Sequence, residues 1–362
     1  QCLSKPMQER NVLIIYTGGT IGMKDEDGKG LTPKKGYLPR RIHSIAILNE
    51  NYATEYSEEQ VFILPAMNNV GRRIKYKIRE YGDLLDSSDV GKKDWVKMAE
   101  SIEENYDKYD GFVILHGTDT LSYTASALSF MLTNLAKTIV VTGSQIPMQD
   151  SDSDGLSNII GALVTAGDRN VQEVAVYFNN RLLRGNRTIK KNNSILRAFV
   201  SPNFPHLGEY ETELRIRNDL LLPQENGDFT VCKKMCEHVE VVMVTPMMGI
   251  KAMSAALEPP TKGVILLTLG NGNIPKREEI LEALKTAVSN DVLIVNVTQC
   301  QEGRVTDDYE NGRILTSIGV IPGADMTPEA ALTKLSYVLA VETSLAEKKK
   351  LMMQSLRGEL TI

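Results

Sequence analysis

The chain has 362 residues, of which 42% are hydrophobic and 24% charged, with a net charge of −5. That length supports two domains with cores of their own. The negative balance leaves no surplus of Lys and Arg to neutralise phosphates, which argues against nucleic acid and anionic membrane as partners, and no apolar run approaches the ~18–20 residues that span a bilayer.

The first ten residues are polar and lack an apolar core segment, so no signal peptide is expected there. Four cysteines (Cys2, Cys232, Cys236, Cys300), few and irregularly spaced, point to reduced thiols in an intracellular setting. Cys232, Cys236 and His238 have no fourth ligand near them in sequence and read as an incidental grouping, so no metal site is expected.

The first element is the run Asn11–Tyr16, read as a buried strand that ends in Thr17-Gly18-Gly19-Thr20. Residues 24–37 are charged and glycine-containing, without apolar period, and read as a mobile surface loop placed to act as a lid; Tyr37 is the residue in it with chemistry to offer. Short strands are expected at 61–65 and 76–81. The turn Asp86-Ser87-Ser88-Asp89 follows, then a helix from about 94 to 105.

The run Gly111-Phe-Val-Ile-Leu115 suits a strand buried on both faces. It opens through His116-Gly117 into Thr118-Asp119-Thr120, where a helical pattern (Leu121, Ala125, Leu128, Met131) begins. Further strands are expected at 138–147 and 174–178, with a helix at 155–167 between them. The stretch 179–193, carrying Lys190 and Lys191, is polar. This alternation predicts an α/β domain over 1–208 with a mostly parallel sheet flanked by helices. Residues 209–237 read as a linker or a short hairpin. A smaller α/β domain is expected over 238–362, with strands at 239–246, 263–270 and 292–298, a helix at 276–289 and a long helix from 328 to about 350.

Two hydroxyls thus stand at two strand ends, Thr20 and Thr118, the second beside Asp119. In an open parallel sheet, ligands bind outside those carboxyl ends. No Gly-x-Ser-x-Gly elbow, Walker loop or His-Glu-x-x-His occurs, and Gly270-Asn-Gly-Asn-Ile-Pro275 lacks the third glycine of a dinucleotide fingerprint, so no cofactor is expected. His116, at the mouth of a buried strand, reads as a hydrogen-bonded structural residue. A Thr nucleophile needs a base beside it; with no obvious His, the candidates are a Lys, a carboxylate or a Tyr. Lys190 or Lys191 could reach the strand end that bears Thr118 and Asp119, although spacing alone reads them as a solvated basic pair on a loop.

Thr17-Gly-Gly-Thr-Ile21 and Gly111–Leu121 resemble the two signature motifs of the bacterial-type asparaginase/glutaminase family. Thr142-Gly-Ser-Gln-Ile-Pro147 with Ser153-Asp-Gly155, and Gly270–Pro275, are similar to family segments in the same order, and Leu84-Leu-Asp-Ser-Ser-Asp89 resembles the cytosolic, type I branch. The resemblance implies hydrolysis of free L-asparagine to L-aspartate and ammonia through an acyl-enzyme on Thr20. Thr118, Asp119 and Lys190 would form a second hydroxyl–carboxylate–amine group. Asp86, Ser87 and Ser88 would hold the substrate's α-carboxylate and Asp119 its α-ammonium. A tyrosine would assist Thr20, with Tyr309 preferred over Tyr37, and Asn273 would reach the site from a neighbouring protomer. The family further implies a homotetramer built as a dimer of dimers, and a cytoplasmic location. Rival readings are a glutaminase-leaning amidohydrolase, an amidase subunit of a transfer-RNA-dependent amidotransferase, a lysophospholipase-type esterase, and, from a different class, a non-catalytic amino-acid sensor.

Overall fold

The computed structural model describes residues 8–25, 28, 30–66, 71–224, 226–306 and 310–361, with the side chains of 310–312 excepted. The chain divides into two compact units, one of residues 1–201 and 205–231, the other of 202–204 and 232–362.

The larger unit is built on a nine-stranded sheet. Its centre consists of five strands in parallel: Gln8–Gly18, Arg72–Leu85, Gly111–Leu115, Thr138–Thr142 and Val174–Phe178. The last three of these are buried along their whole length, which is why their sequences are unbroken apolar runs and not alternating ones. Ile14, Val113, Val140 and Val176 are fully removed from solvent, each stabilising the fold by about 1.5–3 kcal/mol relative to an exposed side chain. Helices Leu121–Met131 and Gly155–Ala166 pack on this sheet. Antiparallel strands finish both edges: Phe62–Ile63 on one side, and Arg181–Arg184, Gly208–Tyr210 and Leu214–Ile216 on the other.

The smaller unit has a four-stranded parallel sheet in the order Val239–Met243, Gly263–Thr268, Leu293–Thr298, Ile321–Pro322. Helices Ile250–Leu257 and Glu278–Ser289 close one apolar cluster around Val242, Val264 and Ile294. Helix Pro328–Val341 and the C-terminal segment close another around Ile265, Val295 and Leu335.

Several expectations need correction. The polar stretch 179–193 is not a loop: Arg181–Arg184 turns back antiparallel on Val174–Phe178, through Asn179 and Asn180 at positive φ, and Ile189–Lys190 pairs with Phe199–Val200. The Asn pair tolerates the left-handed backbone that a tight hairpin demands. Gly208–Tyr210 and Leu214–Ile216 pair as a hairpin that extends the large sheet. The stretch 24–37 contains a two-strand ribbon, Met23–Lys24 against Thr32–Pro33, and ends in a helix that begins at Tyr37; residues 26, 27 and 29 of the expected lid lie outside the described residues. The helix expected from 328 to 350 is two helices, Pro328–Val341 and Leu345–Met353. Between them the Glu342 carboxylate accepts the amides of Thr343 and Ser344, and Ser344 caps the second helix through Glu347 N–H, a local competition for backbone donors that ends one helix and starts the next. The helices Tyr37–His43, Ile250–Leu257 and Glu310–Ser317 were not expected; at seven or eight residues each, they are too short to show a period.

Candidate active site

The five parallel strands lie in the order 72–85, 8–18, 111–115, 138–142, 174–178. The chain therefore leaves the 8–18 strand to one side and returns to its other side at 111–115. Strand order reverses between those two, and it is outside the carboxyl ends at such a point that open α/β sheets bind ligands. Thr20 and Thr118 follow these two strands.

Backbone contact brings the two turns together. Gly19 has φ +88, and a Cβ on it would lie 2.4 Å from both Cα and N of Gly117, so only glycine permits both the angle and the approach. Gly19 N–H donates to Leu85 O at 3.1 Å, and the buried Thr17 hydroxyl donates to Leu115 O at 3.0 Å, tying one strand end to the other. Thr20 then opens a short 3-10 turn, Thr20–Gly22, and is half-buried.

On the neighbouring turn, Thr118 is buried and Asp119 is exposed. Lys190 Nζ donates to Thr118 Oγ1 at 2.8 Å and to Asp119 Oδ1 at 2.6 Å. Of the two lysines considered from sequence, Lys190 is the one brought to Thr118; its ribbon pairing with Phe199 directs it there, while Lys191 is exposed. An ammonium bonded to a hydroxyl oxygen leaves the hydroxyl proton free to be donated elsewhere, and stabilises negative charge on that oxygen.

The Asp86–Asp89 turn joins the same group. Ser87 is buried; its Oγ accepts Asp119 N–H at 3.2 Å and its carbonyl accepts the Thr120 hydroxyl at 2.6 Å. Asp86 is exposed and caps its own turn, accepting Ser88 N–H at 3.0 Å and the Ser88 hydroxyl at 2.9 Å. Thr20, Ser87, Thr118, Asp119 and Lys190 thus occupy three adjoining strand ends and the ribbon beside them. Asn273 lies in the smaller unit, in the turn after Gly263–Thr268. Tyr309 lies outside the described residues. Tyr37 begins its helix beside the 3-10 turn that carries Thr20, and both Glu80 carboxylate oxygens hold the preceding Gly36 amide, at 3.0 and 2.8 Å.

His116 is structural, as expected. It is fully buried, with Nδ1 2.7 Å from Gly117 O and Nε2 2.9 Å from Thr124 Oγ1, an oxygen that also accepts Trp95 Nε1–H at 3.0 Å. This assigns the proton to Nδ1, since a carbonyl can only accept. Burial pulls the ring's pKa down to about 4, so the imidazole stays neutral and fixes the carbonyl between Gly117 and Thr118. Trp95 carried no sequence signal for this role, because a helix residue meeting Thr124 depends on packing alone. Asp154 was also missed: it reads as a helix cap but, buried, it accepts the amides of Gln145 and Ile146 and shapes the loop after Thr138–Thr142.

Residues 11–221 match the family described as "Asparaginase, N-terminal", and residues 238–352 match "Glutaminase/Asparaginase C-terminal domain". An L-asparaginase of Dirofilaria immitis is 44% identical over 98% of this chain, and a mouse 60 kDa lysophospholipase is 41% identical over the same share. The chain spans 61% and 63% of the length of those two relatives. The crystal structure of L-asparaginase I from Vibrio cholerae superposes with a TM-score of 0.83 at 41% identity, covering 98% of this chain and 100% of that one. With both of its units matched by the family's two domain models and full-length likeness to an L-asparaginase, the chain belongs to the asparaginase family of amidohydrolases.

Proposed function

We propose that the chain hydrolyses the side-chain amide of free L-asparagine. The Thr20 hydroxyl oxygen attacks the amide carbon, giving a tetrahedral oxyanion held by backbone N–H groups of the strand-end turns. The C–N bond breaks, ammonia leaves with a proton relayed through Thr118, and an aspartyl ester on Thr20 remains. Water attacks that ester, releases L-aspartate and returns the proton to Thr20. Lys190 lowers the cost of removing the Thr118 proton, and Tyr309 takes the proton of Thr20. Asp119 pairs with the substrate α-ammonium; Ser87 and Ser88, on the turn shaped by Asp86, receive its α-carboxylate, and Asn273 completes the site from a neighbouring protomer of a cytoplasmic homotetramer.

The observation that carries this reading is the Gly19–Gly117 contact, which sets the Thr20 turn against the Thr118–Asp119–Lys190 group. A binding protein has no need of two hydroxyls so placed, one of them bonded to an ammonium. The test is Thr20→Val, near in shape and without the hydroxyl. Ammonia release from L-asparagine should fall at least ~10³-fold with the unfolding midpoint unchanged; turnover at the parental rate would refute the assignment. L-Glutamine in the same assay gives the selectivity between the two amides.

A second reading follows from the mouse lysophospholipase relative: the Thr20 hydroxyl oxygen attacks the acyl ester of a lysophospholipid, the ester C–O bond breaks, the glycerophospho-alcohol leaves with a proton relayed through Thr118 in place of ammonia, and water then releases the fatty acid from Thr20. Fatty-acid release from lysophosphatidylcholine, abolished by Thr20→Val, would support it.

A further inference from the structure

Three polar side chains are buried in the sheet of the smaller unit: Thr268, Asn296 and Thr298, at 0%, 3% and 5% exposure. Such groups cost stability unless hydrogen-bonded, and here Asn296 and Thr298 each donate to one turn, while Thr268 bonds Asn296 and Val297 O, and Thr298 also accepts Cys300 N–H. The segment Leu269–Asn273 is closed by Leu269 N–H to Asn273 O (2.9 Å) and Asn273 N–H to Leu269 O (2.8 Å). Asn296 Nδ2 donates to Gly272 O at 3.1 Å, and its Oδ1 accepts the Thr268 hydroxyl at 2.6 Å, which sets the orientation of the carboxamide. Thr298 Oγ1 donates to Gly270 O at 2.6 Å. Gly272 has φ +111, and a Cβ there would come within 2.9 Å of Asn296 Nδ2 and 2.8 Å of Val305 Cγ1. The far side of the turn is held as well, since Thr306 N–H donates to Asn271 O at 3.1 Å.

Apolar residues at 268, 296 and 298 would pack at lower cost, but would let go of the turn. We propose that Asn296 is a positioning residue: its carboxamide, oriented by Thr268, latches the Gly270–Asn273 turn and so sets the presentation of Asn273 to substrate. This rests on the reading of Asn273 as a substrate-binding residue, and adds the device that holds it. The latch governs binding and not bond cleavage, because the chemistry belongs to Thr20 and the Thr118–Lys190 pair.

The experiment is a double-mutant cycle on the full chain with L-asparagine. Asn296→Ala should raise KM about tenfold, the factor equivalent to one lost hydrogen bond, with kcat within threefold. Asn273→Ala should raise KM at least as much, and Asn296→Ala in the Asn273→Ala background should add less than twofold. Should Asn296→Ala fold poorly, Thr268→Val, which keeps the shape and removes only the orienting hydroxyl, should raise KM severalfold in the same non-additive way. Faster hydrogen exchange at the Asn273 amide in Asn296→Ala, with strand Gly263–Thr268 still protected, would support a local latch. Full additivity of the two KM effects, or a kcat loss larger than the KM rise, overturns the proposal. An unchanged KM in Asn273→Ala instead removes the underlying reading of Asn273, and the latch with it; an unchanged KM in Asn296→Ala alone removes only the latch.

Discussion

Two lysine–carboxylate pairs in this protein have one separation and opposite settings. Lys190 Nζ lies 2.6 Å from Asp119, with side chains 17% and 63% exposed; Lys334 Nζ lies 2.6 Å from Glu359, both at 0%. Among the described residues, the partners of the dry pair are backbone groups and the other charge. Lys334 also donates to the carbonyls of Met352 and Gln354, and Glu359 accepts the amides of Leu356 and Arg357, so the pair clasps the C-terminal segment to helix Pro328–Val341. Burial alone pulls the Lys334 ammonium below the ordinary lysine range, and Glu359 opposes that shift. In the wet pair Asp119 keeps most of its surface open and Lys190 spends its second contact on a hydroxyl, Thr118. A saturated ion pair holds structure; an unsaturated one at a strand end is left with capacity for a ligand.

Breaking the wet pair should have the largest effect, and on rate alone. Lys190→Met is expected to lower kcat/KM for L-asparagine about 10³-fold while shifting the urea unfolding free energy by no more than about 1 kcal/mol, because the partner carboxylate remains solvated. A loss of stability larger than the loss of activity would make the pair structural.

The dry pair should answer in the reverse manner. Lys334→Met leaves the Glu359 charge buried without its counterion and should cost about 3–5 kcal/mol, with kcat per folded molecule unchanged. Adding Glu359→Leu should recover stability to within about 1 kcal/mol of the parent or better, since two apolar groups need no mutual pairing. Urea midpoints of the three proteins decide this.

His116 extends the comparison to a single dry titrating group. Its folded pKa of about 4 lies below the 6.5 of the exposed ring, so between those values the unfolded chain binds a proton that the native state refuses. Stability is therefore complete above about pH 6.5 and falls as pH drops toward 4, by about 3 kcal/mol for this group. In His116→Gln, that part of the pH slope of the unfolding free energy should disappear. The smallest effect belongs to an exposed pair, Arg79 with Glu104 at 3.1 Å and side chains 48% and 61% exposed; Glu104→Gln should change stability by less than about 1 kcal/mol, and less still in high salt.

Legibility followed the range of the forces concerned. The strands at 111–115, 138–142 and 174–178 were plain because double-sided burial imposes an apolar run on each one independently, and the flanking glycines and threonines mark where it ends. The turns bearing Thr20 and Thr118 were readable for the same reason, whereas the one bearing Ser87 was marked by its cluster of capping residues. The short helices, the break at 342–344 and the 181–184 hairpin were not, because each turns on one or two capping or turn bonds that leave no period. Trp95 and Asn296 carried no signal: one is a helix residue and the other a strand residue, and the bonds that give them a role come from partners remote in the chain.

By itself, then, the sequence determined two α/β units and two hydroxyl-bearing strand ends, since burial pattern and backbone stereochemistry are written residue by residue. Only the tertiary structure decided that these strand ends are neighbours, that Lys190 and not Lys191 meets Thr118 across 72 residues, and that the pair at Lys334 is sealed while the one at Lys190 is open. Those outcomes depend on sheet order and on what else packs nearby, and both emerge only when the whole chain competes for a single arrangement.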